Sequence, residues 1–82
     1  MKLKFRDLEV IHAVLQTGST RKAAEVLHVT QPAVSMSVKA SEVSLGFALF
    51  SRANGRLTPT DRALVLAPHL QKLMVEHEAV NR

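Results

Sequence analysis

Three short stretches of this sequence carry side chains suited to holding a polyanion. The first is Ser19-Thr20-Arg21-Lys22, at the head of a short helical segment. Cations in the first turn of a helix oppose its dipole and weaken it slightly. They make sense there if a phosphate also sits at that end, held by free backbone N–H groups and by Arg21 and Lys22. The competing reading is an Arg21–Glu25 ion pair across one helical turn. The second stretch is Thr30-Gln31-Pro32-Ala33-Val34-Ser35-Met36, with Lys39 following. Gln31 stands at the tip of a helix, where an amide can make paired hydrogen bonds to adenine in a major groove. Ala33 is small enough to touch a thymine methyl group. Ser35 and Met36 share the exposed side one turn on, and Lys39 follows toward phosphate. In isolation, Gln31 and Ser35 also read as ordinary solvated positions. The third stretch is Arg52, Asn54 and Arg56 around a tight turn, a basic tip suited to phosphate or minor-groove contact. Such a cluster on its own is also an ordinary solvated turn. The hydroxyls of Thr20 and Thr30, at the heads of two helices, are assigned with these cations to the nucleic-acid backbone.

Other chemistries find less support. His12, His28, His69 and His77 show no metal-ligand spacing, and no nearby carboxylates complete a site. Gly18, Gly46 and Gly55 are scattered and form no phosphate-cradling loop. Nothing marks a strained nucleophile turn, and 82 residues leave little room to shield a reaction from water. No catalysis, metal or cofactor is expected. With no cysteine, thiolate sites and disulfides are excluded.

Helical periodicity positions the three stretches. Phe5, Leu8, Ile11 and Leu15 recur at helical spacing, widened by Val10 and Val14, and predict a helix over 5–16 that ends at Thr17-Gly18-Ser19. Ser19 or Thr20 caps a second helix to about Leu27, with Ala23, Ala24 and Leu27 on its inner face. Thr30 caps a third, with Pro32 in its first turn, running to about Leu45 and stopping at Gly46. Its core stripe is Val34, Val38, Ser41 and Leu45, and a buried Ser41 hydroxyl is expected to bond back to the Ser37 carbonyl. A short helix, a three-residue turn and a longer helix with small residues at their crossing give helix-turn-helix anatomy over about 20–39. Asn54-Gly55 predicts a two-stranded ribbon that sets Arg52 beside Leu57. A last helix is expected with Thr58 as cap, Pro59 at its first position and Asp61 reaching back. In it Ala63, Leu66, Leu70, Leu73, His77 and Val80 alternate steps of three and four, a heptad seam for dimerisation. Pro68 is expected to kink it.

Charge divides the chain in the same way. The net charge is +4 from 11 Lys+Arg and 7 Asp+Glu. Residues 1–58 hold eight cations and four carboxylates, whereas 59–82 hold three of each. A basic head and a neutral tail suggest a polyanion-binding unit followed by an assembly element. The length fits one domain whose small core favours a partner subunit. The basic start is followed by no long apolar run, so neither a signal peptide nor a membrane span is expected, and the cytoplasm is the expected location. The chain has three Phe, no Tyr and no Trp. Phe47 and Phe50 fall in apolar runs, which leaves no aromatic platform for single-stranded bases. Double-stranded DNA is the expected partner.

Taken together, Gly18-Ser19, the run Ala23-Ala24-Glu25-Val26-Leu27-His28-Val29-Thr30-Gln31-Pro32-Ala33-Val34-Ser35, and then Leu45-Gly46, Leu49-Phe50, Arg52 and Leu57-Thr58 resemble the amino-terminal DNA-binding domain of LysR-type transcriptional regulators. The resemblance covers about residues 3–60, with 61–82 as the linker or dimerisation helix. It implies a mainly α winged helix-turn-helix: a three-helix core, a small β-hairpin wing and a long linker helix. It implies a homodimer through that helix, binding an interrupted inverted repeat at a promoter or operator to activate or repress transcription in the bacterial cytoplasm, associated with the nucleoid. By position, Gln31, Pro32, Ser35 and Met36 fall where the family reads bases, and Ser19, Lys39 and Arg52 where it holds the backbone. Met36 stands where the family often has a polar or basic residue. The family's effector-binding domain, which senses a small molecule, is not in this chain, so the chain is expected to be a fragment; higher oligomers would belong to the full-length protein. Two alternatives share the fold: a sequence-tolerant architectural DNA binder and a protein-interaction module.

Overall fold

The computed structural model describes residues 3–82; residues 1 and 2, part of the basic start, lie outside the described residues. Four helices and one hairpin follow in the order α1 (Phe5–Thr17), α2 (Thr20–Leu27), α3 (Gln31–Leu45), β1 (Phe50–Ala53), β2 (Arg56–Pro59) and α4 (Asp61–Val80). Each boundary has a local chemical cause. The Lys4 backbone N–H donates to the Asp7 carboxylate at 3.0 Å and starts α1. The Ser19 hydroxyl accepts from the Lys22 N–H, and the Thr30 hydroxyl accepts from the Ala33 N–H. α1 and α3 end on Gly18 and Gly46, as expected. α2 ends differently, with His28 in the left-handed region at φ 59°. A non-glycine residue is tolerated there because the reversal lets the His28 and Val29 N–H groups donate to the Glu25 and Ala24 carbonyls.

α1 is the centre of the molecule because two of its faces are apolar. Val10, Ala13 and Val14 pack on Ala23 and Ala24 of α2 and Val34 of α3. Ile11 packs on the other side with Leu49, Ala63 and Leu70, bringing α4 back across α1. Leu8 and Leu15 border that second cluster. On α3 the Ser41 side chain is 1% exposed, and its hydroxyl donates to the Ser37 carbonyl at 2.8 Å. A small polar residue on a core stripe is accommodated by satisfying its only donor locally.

The ribbon forms with the expected register: Arg52 faces Leu57 and Ala53 faces Arg56. Asn54 and Gly55 both have positive φ, 55° and 75°, the conformation that joins two strands with a two-residue turn.

α4 departs from expectation at its start. Thr58 and Pro59 belong to β2, paired with Ser51 and Phe50, so the cap moves to Thr60. The Thr60 hydroxyl accepts from the Ala63 N–H and donates to the Ala48 carbonyl, fastening α4 to the loop before the wing. Strand pairing decides the boundary, since Pro59 has no N–H to lose at the end of a strand. α4 then continues as helix through Pro68 to Val80. Among the described residues, no helix is long and apolar enough to cross a membrane.

A carboxylate not singled out in the sequence holds the wing in place. Glu42 of α3 accepts from the Leu49 N–H at 2.7 Å and the Phe50 N–H at 3.3 Å. Glu42→Ala leaves both donors without that partner, and we expect it to lower stability by about 1–3 kcal/mol. Urea unfolding at fixed chain concentration measures this. Glu42→Gln, which keeps a neutral acceptor, should recover part of the loss.

Candidate nucleic-acid interface

The packing of α2 on α3 leaves an arc of α3 in solvent. Gln31, Pro32, Ser35, Met36 and Lys39 are all exposed. At about 100° per residue they occupy one continuous arc of about 140°. An arc of about 60° next to Gln31, formed by Val34, Val38, Ser41 and Leu45, faces the core or its border. The exposed arc follows from the sequence because the apolar positions of α3 are spaced to face inward.

The wing lies beside this arc. Gly18, Ser19, Thr20, Arg21, Gln31, Arg52, Gly55, Arg56 and Leu57 line one open cavity of about 480 Å³. A second cavity shares Thr20, Arg52 and Leu57 with it and continues along Ser35, Lys39 and Ser51. Three distant parts of the chain therefore form one trough: the head of α2, the tip of α3 and both strands of the wing. Its cations are Arg21, Arg52 and Arg56, with Lys39 further along. The carboxylate on its border, Glu42, already accepts two backbone N–H groups. A trough lined by cations, backbone and hydroxyls is suited to a phosphate backbone, and the neighbouring arc of α3 is narrow enough to enter a major groove.

Gln31 is fixed in this setting. Its side-chain N–H donates to the Thr20 hydroxyl at 3.0 Å. An amide has two N–H donors and a carbonyl. One N–H and the carbonyl remain, the pair that adenine requires. Sequence reading missed this bond because eleven residues separate the partners and no periodicity links them.

The other sequence-derived candidates divide. Ser19 and Thr20 line the trough, and Ser19 also caps α2. Thr30 is exposed and caps α3. Arg21 reaches the Glu25 carboxylate at 3.3 Å, so the competing ion-pair reading holds in the free chain. That pair is exposed on both sides and weak, which leaves Arg21 free to exchange partners. Lys22 is exposed without lining the trough, and Asn54 forms the exposed tip of the wing. Ala33 is exposed at the edge of the arc, about 60° beyond Met36, and lines a groove with Arg6, Asp7, Val10 and Val29 on the α1 flank of α3.

The expected α4 seam is corrected. Ala63 and Leu70 are buried in the chain's own core, and His77 stacks on Phe5 of α1 with ring centroids 4.3 Å apart. Gln71 joins them, its carbonyl oxygen within hydrogen-bonding distance of His12 and Gln16. The reason is that α1 presents its own apolar face and competes for the same stripe. Leu73 and Val80 remain exposed, with Leu66 half-buried. Leu64, Val65 and Val75, not anticipated, are exposed as well.

Comparison with known proteins agrees with this geometry. Residues 5–64 match the family model described as bacterial regulatory helix-turn-helix protein, lysR family. The HTH-type transcriptional regulator DgcR of a Pseudoalteromonas species is 41% identical over 78 residues, covering 95% of this chain and 27% of that protein. The transcriptional activator protein LysR of Escherichia coli K12 is 40% identical over 70 residues, covering 85% of this chain and 22% of its own length. The chain thus spans about a quarter of the length of these relatives. Among solved structures, the BenM DNA-binding domain in complex with catB site 1 DNA superposes with a TM-score of 0.88 at 26% identity, covering 95% of this chain and 88% of that one. The CbnR DNA-binding domain in complex with DNA gives 0.84 at 25%, covering 96% and 91%.

If the trough holds phosphates, Arg52→Ala should reduce the slope of log affinity against log salt by about 0.9, the contribution of one phosphate contact. Fluorescence anisotropy with a labelled duplex over a range of salt measures it. An unchanged slope removes Arg52 from the backbone contacts.

Proposed function

This chain belongs to the lysR family of bacterial regulatory helix-turn-helix proteins, and we propose that it is the DNA-reading unit of a transcriptional regulator that recognises a particular duplex sequence. In this reading α3 enters the major groove with Gln31, Pro32, Ser35 and Met36 toward base edges and Ala33 at the margin of that set. Ser19, Thr20, Arg21, Lys22, Thr30, Lys39, Arg52, Asn54 and Arg56 hold the flanking phosphates. The observation that carries it is the exposed arc of α3 beside a cationic trough, with Gln31 already fixed by Thr20. Holding a side chain in its binding geometry before contact reduces the entropy lost on binding. The CbnR and BenM domains, similar over nearly all of this chain, are solved in complex with DNA, which supports the same partner.

The unit is proposed to act as a homodimer on an interrupted inverted repeat, because a twofold pair of readers doubles the sequence read. Residues 3–60 are the reader and 61–82 the linker helix. The dimer contact is assigned to the exposed apolar residues of α4, Leu73 and Val80 from the heptad next to half-buried Leu66, with Leu64, Val65 and Val75 elsewhere on the exposed side of the helix. Control by a small molecule, and assembly beyond the dimer, belong to a carboxyl-terminal domain not in this chain and rest on the family resemblance. Activity in the bacterial cytoplasm, on nucleoid DNA, follows from the same reading.

Selection of duplexes from a random pool tests recognition. One inverted repeat should emerge that binds at least ~10³-fold more tightly than random duplex. Gln31→Ala should narrow that ratio by weakening specific binding more than random binding; an equal fall in both would remove Gln31 as a base reader. Uniform affinity for all duplexes would support an architectural binder, and absence of duplex binding a protein-interaction module. For assembly, Leu73→Asp with Val80→Asp should shift the chain toward monomer in sedimentation while leaving its helical signal intact. A persisting dimer would move the contact to the Leu64, Val65 and Val75 side of α4.

A further inference from the structure

The proposed reading arc has an unusual chemical content. From Gln31 to Ala40, α3 carries a single charged residue, Lys39. Guanine is read by a bidentate arginine or lysine, and the cytosine amine by a carboxylate. The first two turns of α3, the part that reaches base edges in such a motif, contain neither. Lys39 lies in the third turn and borders the trough with Ser51 and Arg52 of the wing, on the phosphate side.

What the arc does present is an amide, a hydroxyl and an apolar strip. Met36 is 73% exposed and, with Ala40, lines a shallow groove beside Ser35 and Lys39. Val43, two turns beyond Met36, extends the strip and is 77% exposed. Within a major groove, the apolar feature available to such a strip is the thymine C5-methyl group. Ala33, a short methyl group, lies at the edge of the arc on the α1 flank of α3, about 60° beyond the longer Met36. Met36 is unbranched and flexible, so it can close over a methyl group without demanding a rigid fit.

We propose that Met36 reads a thymine methyl group, so that the half-site under α3 includes A·T pairs read by Gln31 on adenine and Met36 on thymine, with no bidentate guanine contact from the first two turns of the helix. This rests on the DNA-recognition reading above and names the chemistry of its target. The contact is one of shape and apolar burial, and it supplies the discrimination that a basic side chain at this position would supply by hydrogen bonding.

The test uses the 82-residue chain and the duplex selected from the random pool. Each thymine is replaced singly by deoxyuridine, which deletes the methyl group and leaves base pairing intact. At one thymine per half-site the wild-type chain should lose about threefold to fivefold in affinity, the effect of exposing one methyl group. Met36→Ala should reduce that penalty to less than about twofold at the same thymine, whereas Gln31→Ala and Ala33→Gly should preserve it. Met36 is exposed, so the variant is expected to keep the wild-type melting temperature, which is measured alongside. Uniform tolerance of uracil overturns the proposal, and so does a full penalty retained by Met36→Ala. Loss of the penalty in Ala33→Gly alone assigns the methyl to Ala33 and overturns it too. If no duplex is selected from the pool, the DNA-recognition reading itself fails and this inference falls with it.

Discussion

The close approach of α2 to α1 and α3 is the constraint on which the rest depends. Ala23 and Ala24 fill that junction almost without exposure, and Val34 and Val14 complete it with none. Methyl-sized side chains let helix backbones come near enough to interlock, and a dense apolar junction resists change in the crossing geometry. That geometry turns Gln31, Ser35, Met36 and Lys39 outward. It also brings the head of α2 close enough to α3 for Thr20 to receive the Gln31 amide. A larger residue at Ala23 or Ala24 would alter the angle and separate the groups of the trough without touching any of them.

The wing is joined to this junction by polar bonds as well as by apolar packing. Phe50 and Leu57 rest against the same core, while Glu42 of α3 holds the Leu49 and Phe50 N–H groups. A carboxylate accepting two backbone donors is a strong local tie. It also keeps a negative charge engaged that would otherwise oppose an approaching phosphate. The cations of the trough stay exposed, and Arg21 shares its charge with Glu25 in a weak surface pair. In the proposed reading, a fixed base-reading arc and exposed, weakly paired phosphate-facing cations are compatible, because base contacts require geometry and phosphate contacts require mainly charge.

α4 shows how one helix meets two demands. Its stripe of Ala63, Leu66 and Leu70 meets Leu8, Ile11 and Leu15 of α1, and further along Gln71 and His77 reach polar and aromatic partners on the same helix. Arg62 lies over the Phe47 ring, 4.8 Å from its centroid, near the start. The helix is thereby fixed to the reading unit along most of its length. The apolar residues left over flank that stripe on both sides. Apolar surface outside a small core is a natural contact for a second subunit.

The local signals were legible in the residues themselves. Gly18, Gly46, Ser19, Thr30 and Asn54-Gly55 set the helix ends and the turn because backbone conformation and capping depend on near neighbours. The small inner face of α2, the core stripe of α3 and the placement of charge follow from residue type and spacing, while the family was legible as a resemblance carried by the run from Ala23 to Ser35 and the residues that continue it. Three things required the folded chain. Strand pairing moved the α4 cap from Thr58 to Thr60, because Pro59 had a partner in Phe50 that no helix rule could foresee. Packing on α1 took Ala63 and Leu70 out of the heptad seam, since periodicity identifies an apolar stripe but not which surface it meets. The Gln31–Thr20 bond and the Glu42 tie depend on distances between segments, and sequence spacing carries no information about those until the helices have crossed.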